Sequence, residues 1–286
     1  MILVIGKKGQ LAHSLASLDT EIVCLGRDDI DIMSYENILE SLSQYSLSAL
    51  INASAYTAVD KAESDYDNAH AINAMAVANL AKAAKEVGAH FVHVSTDYVF
   101  SGDKGSPYLP NDQINPINAY GKSKAEGEQF IQSEFATNSC ILRTSWVYSA
   151  TGNNFVKTML MLMASKPALT VVDDQIGSPT CADTLAMACV MAANSKLTGI
   201  HHCTDEGVAS WYDFAKAIQT MAMEQGLLEK AVPINPVDSS AFKTLATRPA
   251  YSVMSKLSLK ESLPKLELPY WQDALSAVLK QIKQQS

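Results

Sequence analysis

Short buried strand patterns alternate with helical patterns through the first half of this chain, and this alternation limits the fold more than any other feature. The predicted strands cover residues 2–5, 21–25, 49–52, 90–95 and 140–144. The predicted helices cover residues 11–18, 35–44, 68–87 and 119–134. Apolar strands that alternate with helices form a parallel sheet covered on both faces. The pattern therefore predicts an α/β fold with a doubly wound parallel sheet.

The alternation loosens after about residue 145. Helical patterns at 154–164, 184–194 and 211–223 are separated there by longer, proline-containing loops. We therefore predict two domains. Residues 1–145 form a nucleotide-binding domain, and residues 146–286 form mainly a smaller α/β substrate-binding domain. Segments near 175–205 and 252–264 are predicted to return to the first domain.

Composition excludes several classes of protein. The 286 residues are 48% hydrophobic and carry a net charge of −8, with no long basic run. This favours a globular fold and argues against a nucleic-acid polymer as partner. No apolar stretch approaches the length of a membrane span. The chain opens on a strand pattern instead of a signal peptide, and its five widely spaced cysteines are typical of reduced thiols, so we expect a cytoplasmic protein.

A glycine motif follows the first predicted strand directly. It reads Gly6-x-x-Gly9-Gln10-Leu11-Ala12. Glycines at such a turn let backbone approach a pyrophosphate, and the N-terminus of the next helix offers free N–H groups. The spacing departs from the stricter G-x-G-x-x-G. Its place after a strand in an alternating chain nevertheless predicts a Rossmann-type dinucleotide site.

The end of the second predicted strand bears on the choice of cofactor. An acid at this point would bind the 2′-hydroxyl of NADH, whereas a basic residue accommodates the 2′-phosphate of NADPH. The chain has Arg27 here, which favours NADPH. Because Asp28, Asp29 and Asp31 follow closely, NADH stays open as the alternative.

Tyr120 and Lys124 carry the clearest chemical signal. Residues four apart on a helix lie on one face about one turn apart. The strand pattern before them ends in Ser95-Thr96-Asp97, so a hydroxyl can enter the same cleft. Such a trio suits the protonation of a carbonyl oxygen while a hydride arrives at its carbon.

Six motifs occur in order and together resemble the dTDP-4-dehydrorhamnose reductase family of extended short-chain dehydrogenases/reductases. Tyr-x-x-x-Lys alone indicates only the superfamily, whereas residues 57–63 and 143–148 are more specific to the sugar-nucleotide branch. The motifs are Gly6-x-x-Gly9-Gln10-Leu11, residues 52–63, residues 95–100, Tyr120-x-x-x-Lys124, residues 143–148 and residues 152–155.

The resemblance implies a role for each catalytic position. Tyr120 would protonate the C4 oxygen of a keto sugar, and hydride would come from the nicotinamide. Lys124 would favour the phenolate and bind the nicotinamide ribose. Thr96 would hydrogen-bond the developing alkoxide, and Asp97 would touch the sugar.

The binding residues form two larger sets, and most of them rest on the resemblance. The predicted cofactor-binding residues are Gly6, Gly9, Gln10, Leu11, Arg27, Asp31, Ile32, Ala55, Tyr56, Thr57, Tyr120 and Lys124. The predicted substrate-binding residues are Val59, Thr96, Asp97, Tyr98, Trp146, Asn154, Lys157, Gln175 and Arg248. Asn73 stands where the superfamily places a structural asparagine, and an ordinary helix polar residue is the equal alternative.

The reaction implied is the NAD(P)H-dependent reduction of dTDP-4-dehydro-β-L-rhamnose to dTDP-β-L-rhamnose for surface polysaccharide. One alternative is a reductase of another nucleotide-linked 4-keto-6-deoxy sugar. Another is a non-catalytic NADP-binding regulatory subunit of methionine adenosyltransferase. Some family members bind Mg²⁺ through an acid that is replaced here by Ser14, so no metal is predicted. A homodimer is the assembly considered.

Overall fold

The computed structural model describes residues 1–18 and 21–285. Its strands are β1 Ile2–Ile5, β2 Ile22–Leu25, β3 Ala49–Asn52, β4 His90–Thr96, β5 Ser139–Thr144, β6 Val147–Tyr148, β7 Leu169–Val172, β8 Ile176–Gly177, β9 Thr180–Cys181, β10 Gly199–His202, β11 Ala209–Ser210 and β12 Ile234–Val237. Its α-helices are α1 Gln10–Ser17, α2 Tyr35–Ser43, α3 Val59–Ala62, α4 Tyr66–His70, α5 Ala76–Glu86, α6 Ala119–Phe135, α7 Phe155–Ser165, α8 Ala182–Ser195, α9 Trp211–Glu224, α10 Leu257–Ser262 and α11 Trp271–Gln285.

A parallel sheet forms the centre of the molecule. Within the described residues it has six strands in the order β10-β5-β4-β3-β1-β2. The strand order reverses at β1, since β2 lies on one side of it and β3 on the other. Ligands of such sheets bind outside the carboxyl ends of the strands at this reversal. The predicted doubly wound Rossmann-type sheet is confirmed.

Helices cover both faces of the sheet because the strands are apolar on both faces. On β1, Ile2 and Val4 belong to a core that includes Leu15 of α1 and Leu185 of α8. The alternate residues of β1 belong to a second core with residues of α2, α5 and α6. Successive side chains of a strand point to opposite faces, so one four-residue strand serves both cores.

A third core lies among the elements that follow β5. Phe214 of α9 and Trp271 of α11 are buried there with Val156 of α7. Parts of the same region belong to the central sheet, because β10 pairs with β5 and α8 packs against α1. The division into domains at residues 145 and 146 stays a prediction, and its last residue, Ser286, lies outside the described residues.

The long helix predicted at 68–87 is interrupted. The structure has α4, then a π-helical turn over Ala71–Met75, then α5. A π turn carries one extra residue and is frequent at functional sites. The apolar pattern of the sequence did not reveal it, because the alanines on either side suit a continuous helix. In the part of the chain that the structure describes, no helix is both long and apolar enough to cross a membrane.

Candidate active site

The glycine turn after β1 approaches the neighbouring strand closely. Gly6 has φ +128°, a conformation that other residues rarely adopt, and a Cβ there would lie 3.3 Å from the backbone carbon of Ala53. Gly9 precedes α1 without a side-chain cap. The N-terminus of α1 therefore presents backbone N–H groups without a competing side chain, as an anion site requires.

The loop after β2 pairs its acids with lysines of the glycine turn. Lys7 lies 3.1 Å from Asp29, and Lys8 lies 3.6 Å from Asp28. Both pairs are largely exposed, so they contribute little stability. They do occupy two of the acids that left the cofactor choice open, and Arg27 stays exposed beside them. The next acid, Asp31, accepts the backbone N–H of Met33 at 2.9 Å, and Ile32 lies between these two residues, half-buried.

Asn73 ties the segment after β3 to α6. Its Oδ1 accepts the N–H of Tyr56 at 2.9 Å, and its Nδ2 donates to the Tyr56 carbonyl and the Ser123 hydroxyl, both at 3.0 Å. Ala55 and Thr57 flank the anchored tyrosine. Of the two interpretations of Asn73 left open above, the geometry matches the structural one, because its side chain fixes the backbone expected beneath the cofactor.

Tyr120 lies in the first turn of α6. The side chain of Asn118 caps this helix by accepting the Gly121 N–H at 2.7 Å. The ring of Tyr98 meets the Tyr120 ring edge-on, with centroids 5.6 Å apart. Burial raises the pKa of Tyr120 to about 12, while the nearby Thr96 hydroxyl acts in the opposite direction. The phenol therefore keeps its proton near neutral pH, as a proton donor must.

Thr96 and Asp97 are buried at the carboxyl end of β4. The Thr96 hydroxyl donates to Asp97 Oδ1 at 3.0 Å and accepts the Tyr98 N–H at 3.2 Å. Burial raises the pKa of Asp97 to about 6. These bonds direct the threonine hydroxyl and the carboxyl group toward the same end of the sheet as the Tyr120 turn.

Lys124 is fully buried one turn after Tyr120. Its Nζ donates to the Val94 carbonyl at 2.7 Å and lies 3.1 Å from Nε2 of His93. Burial lowers the pKa of Lys124 to about 8, and the negative charge of Glu128 opposes this shift. His93 was not among the predicted site residues. Its place in an apolar strand gave no sign that its side chain meets a helix residue 31 positions later.

Gly121 allows α6 to touch the turn after β4. A Cβ at this position would lie 2.1 Å from the Tyr98 carbonyl oxygen, a distance that real contacts do not show. Gly121→Ala should therefore push Tyr120 away from Thr96 and destabilise the protein by about 1–3 kcal/mol. Gly105→Ala is the matched control, because a Cβ there meets nothing within 4 Å. Urea denaturation of both variants checks this, and equal stability would contradict it.

A cavity of about 870 Å³ lies between the third core and the loop before residue 248. Two aromatic side chains, Phe155 and Trp211, form part of its wall, and Lys166 and Lys243 bring positive charge. Of the predicted substrate residues, Gln175 and Arg248 line it. Phe155, Trp211 and the two lysines were missed, because helix aromatics and loop lysines have no distinctive spacing.

Trp146 reaches the cavity through Trp211. The two indoles stack with centroids 3.6 Å apart, and Trp146 has the left-handed φ of +50°. Gly177 makes room for this indole, since a Cβ there would lie 2.8 Å from Trp146 Cε2. A strained backbone at a large side chain is costly and is retained mainly where the position matters.

Arg248 joins the cavity to α3. Its guanidinium donates to both oxygens of Asp60, at 2.7 and 3.3 Å, and that carboxylate also accepts the Ala246 N–H. Asp60 follows Val59, the half-buried first residue of α3. The loop that carries Arg248 is thus fastened to α3, the helix that follows β3 of the central sheet.

The remaining predicted substrate residues lie outside the lining of the cavity. Asn154 caps α7 by accepting the Lys157 N–H, and its Nδ2 donates to Gln10 Oε1 at 2.8 Å. Lys157 is exposed. Gln10 therefore connects the glycine turn to α7, while Leu11 is buried in the core below it. Ser14 is buried in α1, and the described residues contain no cluster of three His, Cys, Asp or Glu suited to a metal.

Comparisons with known proteins agree with this architecture. The family described as RmlD substrate binding domain matches residues 1–284. A dTDP-4-dehydrorhamnose reductase of Burkholderia thailandensis is 41% identical, with 99% of each chain covered. One of Aggregatibacter actinomycetemcomitans is 38% identical, with 97% of each covered. The structure of a dTDP-4-dehydrorhamnose reductase of Bacillus anthracis in complex with NADP has a TM-score of 0.91 at 35% identity, with 98% of each chain covered.

The parallel sheet with its glycine turn, and the half-buried Tyr120 one turn before the buried Lys124 on α6, define a Rossmann-type protein of the extended short-chain dehydrogenase/reductase class. Within that class, the chain belongs to the RmlD family. The resemblance drawn from the six sequence motifs is confirmed.

Proposed function

We propose that this protein is an NADPH-dependent dTDP-4-dehydrorhamnose reductase of surface polysaccharide synthesis. It reduces the C4 keto group of dTDP-4-dehydro-β-L-rhamnose and releases dTDP-β-L-rhamnose. The observation that carries the proposal is the position of Tyr120 and Lys124 beside Thr96 at the carboxyl end of β4. Relatives that match almost the whole chain bear the name of this activity.

The cofactor would occupy the carboxyl ends of β1, β2 and β3. Bound NADPH supplies the hydride. The turn from Gly6 to Gly9, with Gln10 and Leu11 at the start of α1, would hold the pyrophosphate. Arg27 would meet the 2′-phosphate, Asp31 and Ile32 the adenine, and residues 55–57 would lie beneath the cofactor. The lysine–aspartate pairs beside Arg27 support NADPH over NADH.

Proton transfer would run through Tyr120. As hydride reaches C4, the carbonyl oxygen gains negative charge, and the Tyr120 hydroxyl donates its proton to it. The Thr96 hydroxyl, whose one proton points at Asp97 Oδ1 in the structure, would turn to donate it to the same oxygen. The Lys124 ammonium stabilises the phenolate that results. Asp97 contacts the sugar hydroxyls and helps to fix the ring over the cofactor.

The nucleotide diphosphate would occupy the cavity. Arg248 suits bidentate contact with phosphate oxygens, and Gln175 offers an amide. The stacked indoles of Trp146 and Trp211 would give an apolar face to the deoxysugar, and Tyr98 and Val59 would also contact the substrate. Asn154 and Lys157 would contribute from the start of α7. The cytoplasmic location and the homodimer stay predictions.

The function is tested with purified protein, NADPH and dTDP-4-dehydro-β-L-rhamnose. We expect loss of nicotinamide absorbance at the rate at which dTDP-β-L-rhamnose forms, and slower turnover with NADH. Turnover only with another 4-keto-6-deoxy sugar nucleotide would show that this other compound is the substrate. NADPH binding without turnover of any keto sugar would favour a regulatory subunit and overturn the proposal.

A further inference from the structure

A chain of three buried side chains runs behind the catalytic cleft. The ring nitrogen Nδ1 of His93 lies 3.1 Å from Asn52 Nδ2, and its Nε2 lies 3.1 Å from Lys124 Nζ. All three residues are at most 1% exposed. The chain exists because β3 and β4 pair with Asn52 opposite His93, while α6 lies across β4. In such a dry environment, each proton must point at an acceptor.

The direction of the hydrogen bonds is fixed at the Asn52 end. The backbone N–H of Ser54 lies 3.0 Å from Asn52 Oδ1, and a backbone N–H can only donate. The atom facing Ser54 is therefore the amide oxygen, and the amide NH₂ faces His93. His93 Nδ1 must accept this bond. A neutral imidazole with a bare Nδ1 carries its proton on Nε2.

The proton on Nε2 points at Lys124. An ammonium nitrogen has three donors and no acceptor, so it cannot receive this bond, whereas a neutral amine has one lone pair for it. Protonation of the imidazole does not resolve this conflict between two donors, because burial and the nearby lysine hold the pKa of His93 well below its usual range. The chain from Ser54 through Asn52 and His93 is therefore fully satisfied only when Lys124 is an amine.

We propose that Asn52 and His93 are positioning residues that favour the neutral amine of Lys124, so that the lysine loses its proton more readily than burial alone would make it. This inference rests on the proposed function for its effect on the reaction. The alkaline limb of the reductase would then report the loss of the Lys124 ammonium that stabilises the Tyr120 phenolate.

Other charged groups lie on α6 and on the elements packed against it, and these groups are the same in every variant. The titratable side chains on α6 near Lys124 and on the elements packed against this helix include Asp60, His70, Asp97, Tyr98, Tyr120, Glu128 and Arg143. A change confined to Asn52 leaves all of these in place. Because Asn52→Asp adds a negative charge of its own, the protonation of His93 has to be measured beside the alkaline limb to isolate the hydrogen-bond chain.

Asn52→Asp reverses the direction of the hydrogen bonds between residues 52, 93 and 124, and the new side chain has the same shape as the old one. The new carboxylate accepts the Ser54 N–H and also a proton from His93 Nδ1, which leaves Nε2 as an acceptor for an ammonium. We expect the alkaline limb of kcat/KM, which reports the free enzyme, to move up by about one pH unit. The matched control is Asn138→Asp, because Asn138 bonds His90 at 3.0 Å at the far end of β4. If the alkaline fall of kcat/KM occurs at the same pH in both variants and in the wild type, the proposal is overturned.

A second measurement does not depend on turnover. ¹⁵N–¹H correlation spectra of histidine-labelled protein distinguish a protonated ring nitrogen from a bare one, and the signal lost in His93→Gln assigns this residue. We expect His93 in the wild type to be protonated at Nε2 only, and in Asn52→Asp at Nδ1. A proton on Nδ1 of His93 in the wild-type protein would contradict the proposed hydrogen-bond chain. If the wild type lacks reductase activity, the proposed function fails, and the spectra still decide the chain.

Discussion

Tyr120→Phe is expected to lower kcat by about 10²–10⁴-fold, the contribution typical of a positioned proton donor. The substitution removes only the hydroxyl, and the ring can keep its edge contact with Tyr98 at 5.6 Å. NADPH affinity should stay the same, because the proposed lysine contact to the ribose is retained. Single-turnover kinetics with fluorescence titration of NADPH measure both quantities.

A neighbouring tyrosine provides the control for this variant. Tyr98→Phe removes a hydroxyl from the same cleft, and burial raises the pKa of Tyr98 above that of a free tyrosine as well. If Tyr98 only contacts substrate, its loss should raise KM and leave kcat nearly intact. A near wild-type kcat in Tyr120→Phe, or an equal fall in both variants, would show that the proton comes from elsewhere.

Arg143→Met is expected to lower the free energy of unfolding by about 3–5 kcal/mol, because it leaves a buried charge without its partner. Arg143 donates to Glu128 at 2.6, 2.9 and 3.2 Å, and both residues are at most 2% exposed. The pair joins β5 to α6 one turn beyond Lys124. Denaturant titration gives the energy, and NADPH binding at low denaturant shows whether the fold survives.

The double variant Arg143→Met with Glu128→Leu separates charge burial from packing. Replacing a buried ion pair by apolar residues of similar volume is often neutral, so most of the lost stability should return. If the double variant is less stable than Arg143→Met, the ion pair contributes favourable energy of its own. If Arg143→Met alone costs nothing, the assignment of a buried charge is wrong.

Five of the six described strands of the central sheet were predictable because they are short apolar runs between helical patterns, whereas β10 over Gly199–His202 has no such run and was missed. The predicted strands 2–5 and 49–52 match β1 and β3 to the residue. The predicted strand 90–95 stops one residue short of the end of β4. The interruption of the helix at Ala71–Met75 could not be read this way. Its cause is tertiary, since Asn73 turns toward Tyr56 and Gly127 lies against the Asn73 carbonyl.

The candidate site also has one part that local spacing predicts and another part that it does not. Tyr120 and Lys124 are one helical turn apart, so their spacing alone predicts that they share a face. The partners of Lys124 and Arg248 depend on contacts between distant parts of the chain. His93 meets Lys124 through the packing of α6 on β4, and Asp60 meets Arg248 across 188 positions. No local pattern encodes such a contact, and only the assembled fold brings these residues together.

The central claim is that hydride from NADPH reaches C4 of the sugar while Tyr120 protonates its oxygen. The direct test uses NADPH that carries deuterium at both C4 positions of the nicotinamide, together with dTDP-4-dehydro-β-L-rhamnose. NMR of the dTDP-β-L-rhamnose formed should show one deuterium, bound to C4 of the sugar. Deuterium at another carbon, or oxidation of NADPH without labelled sugar, would contradict the account.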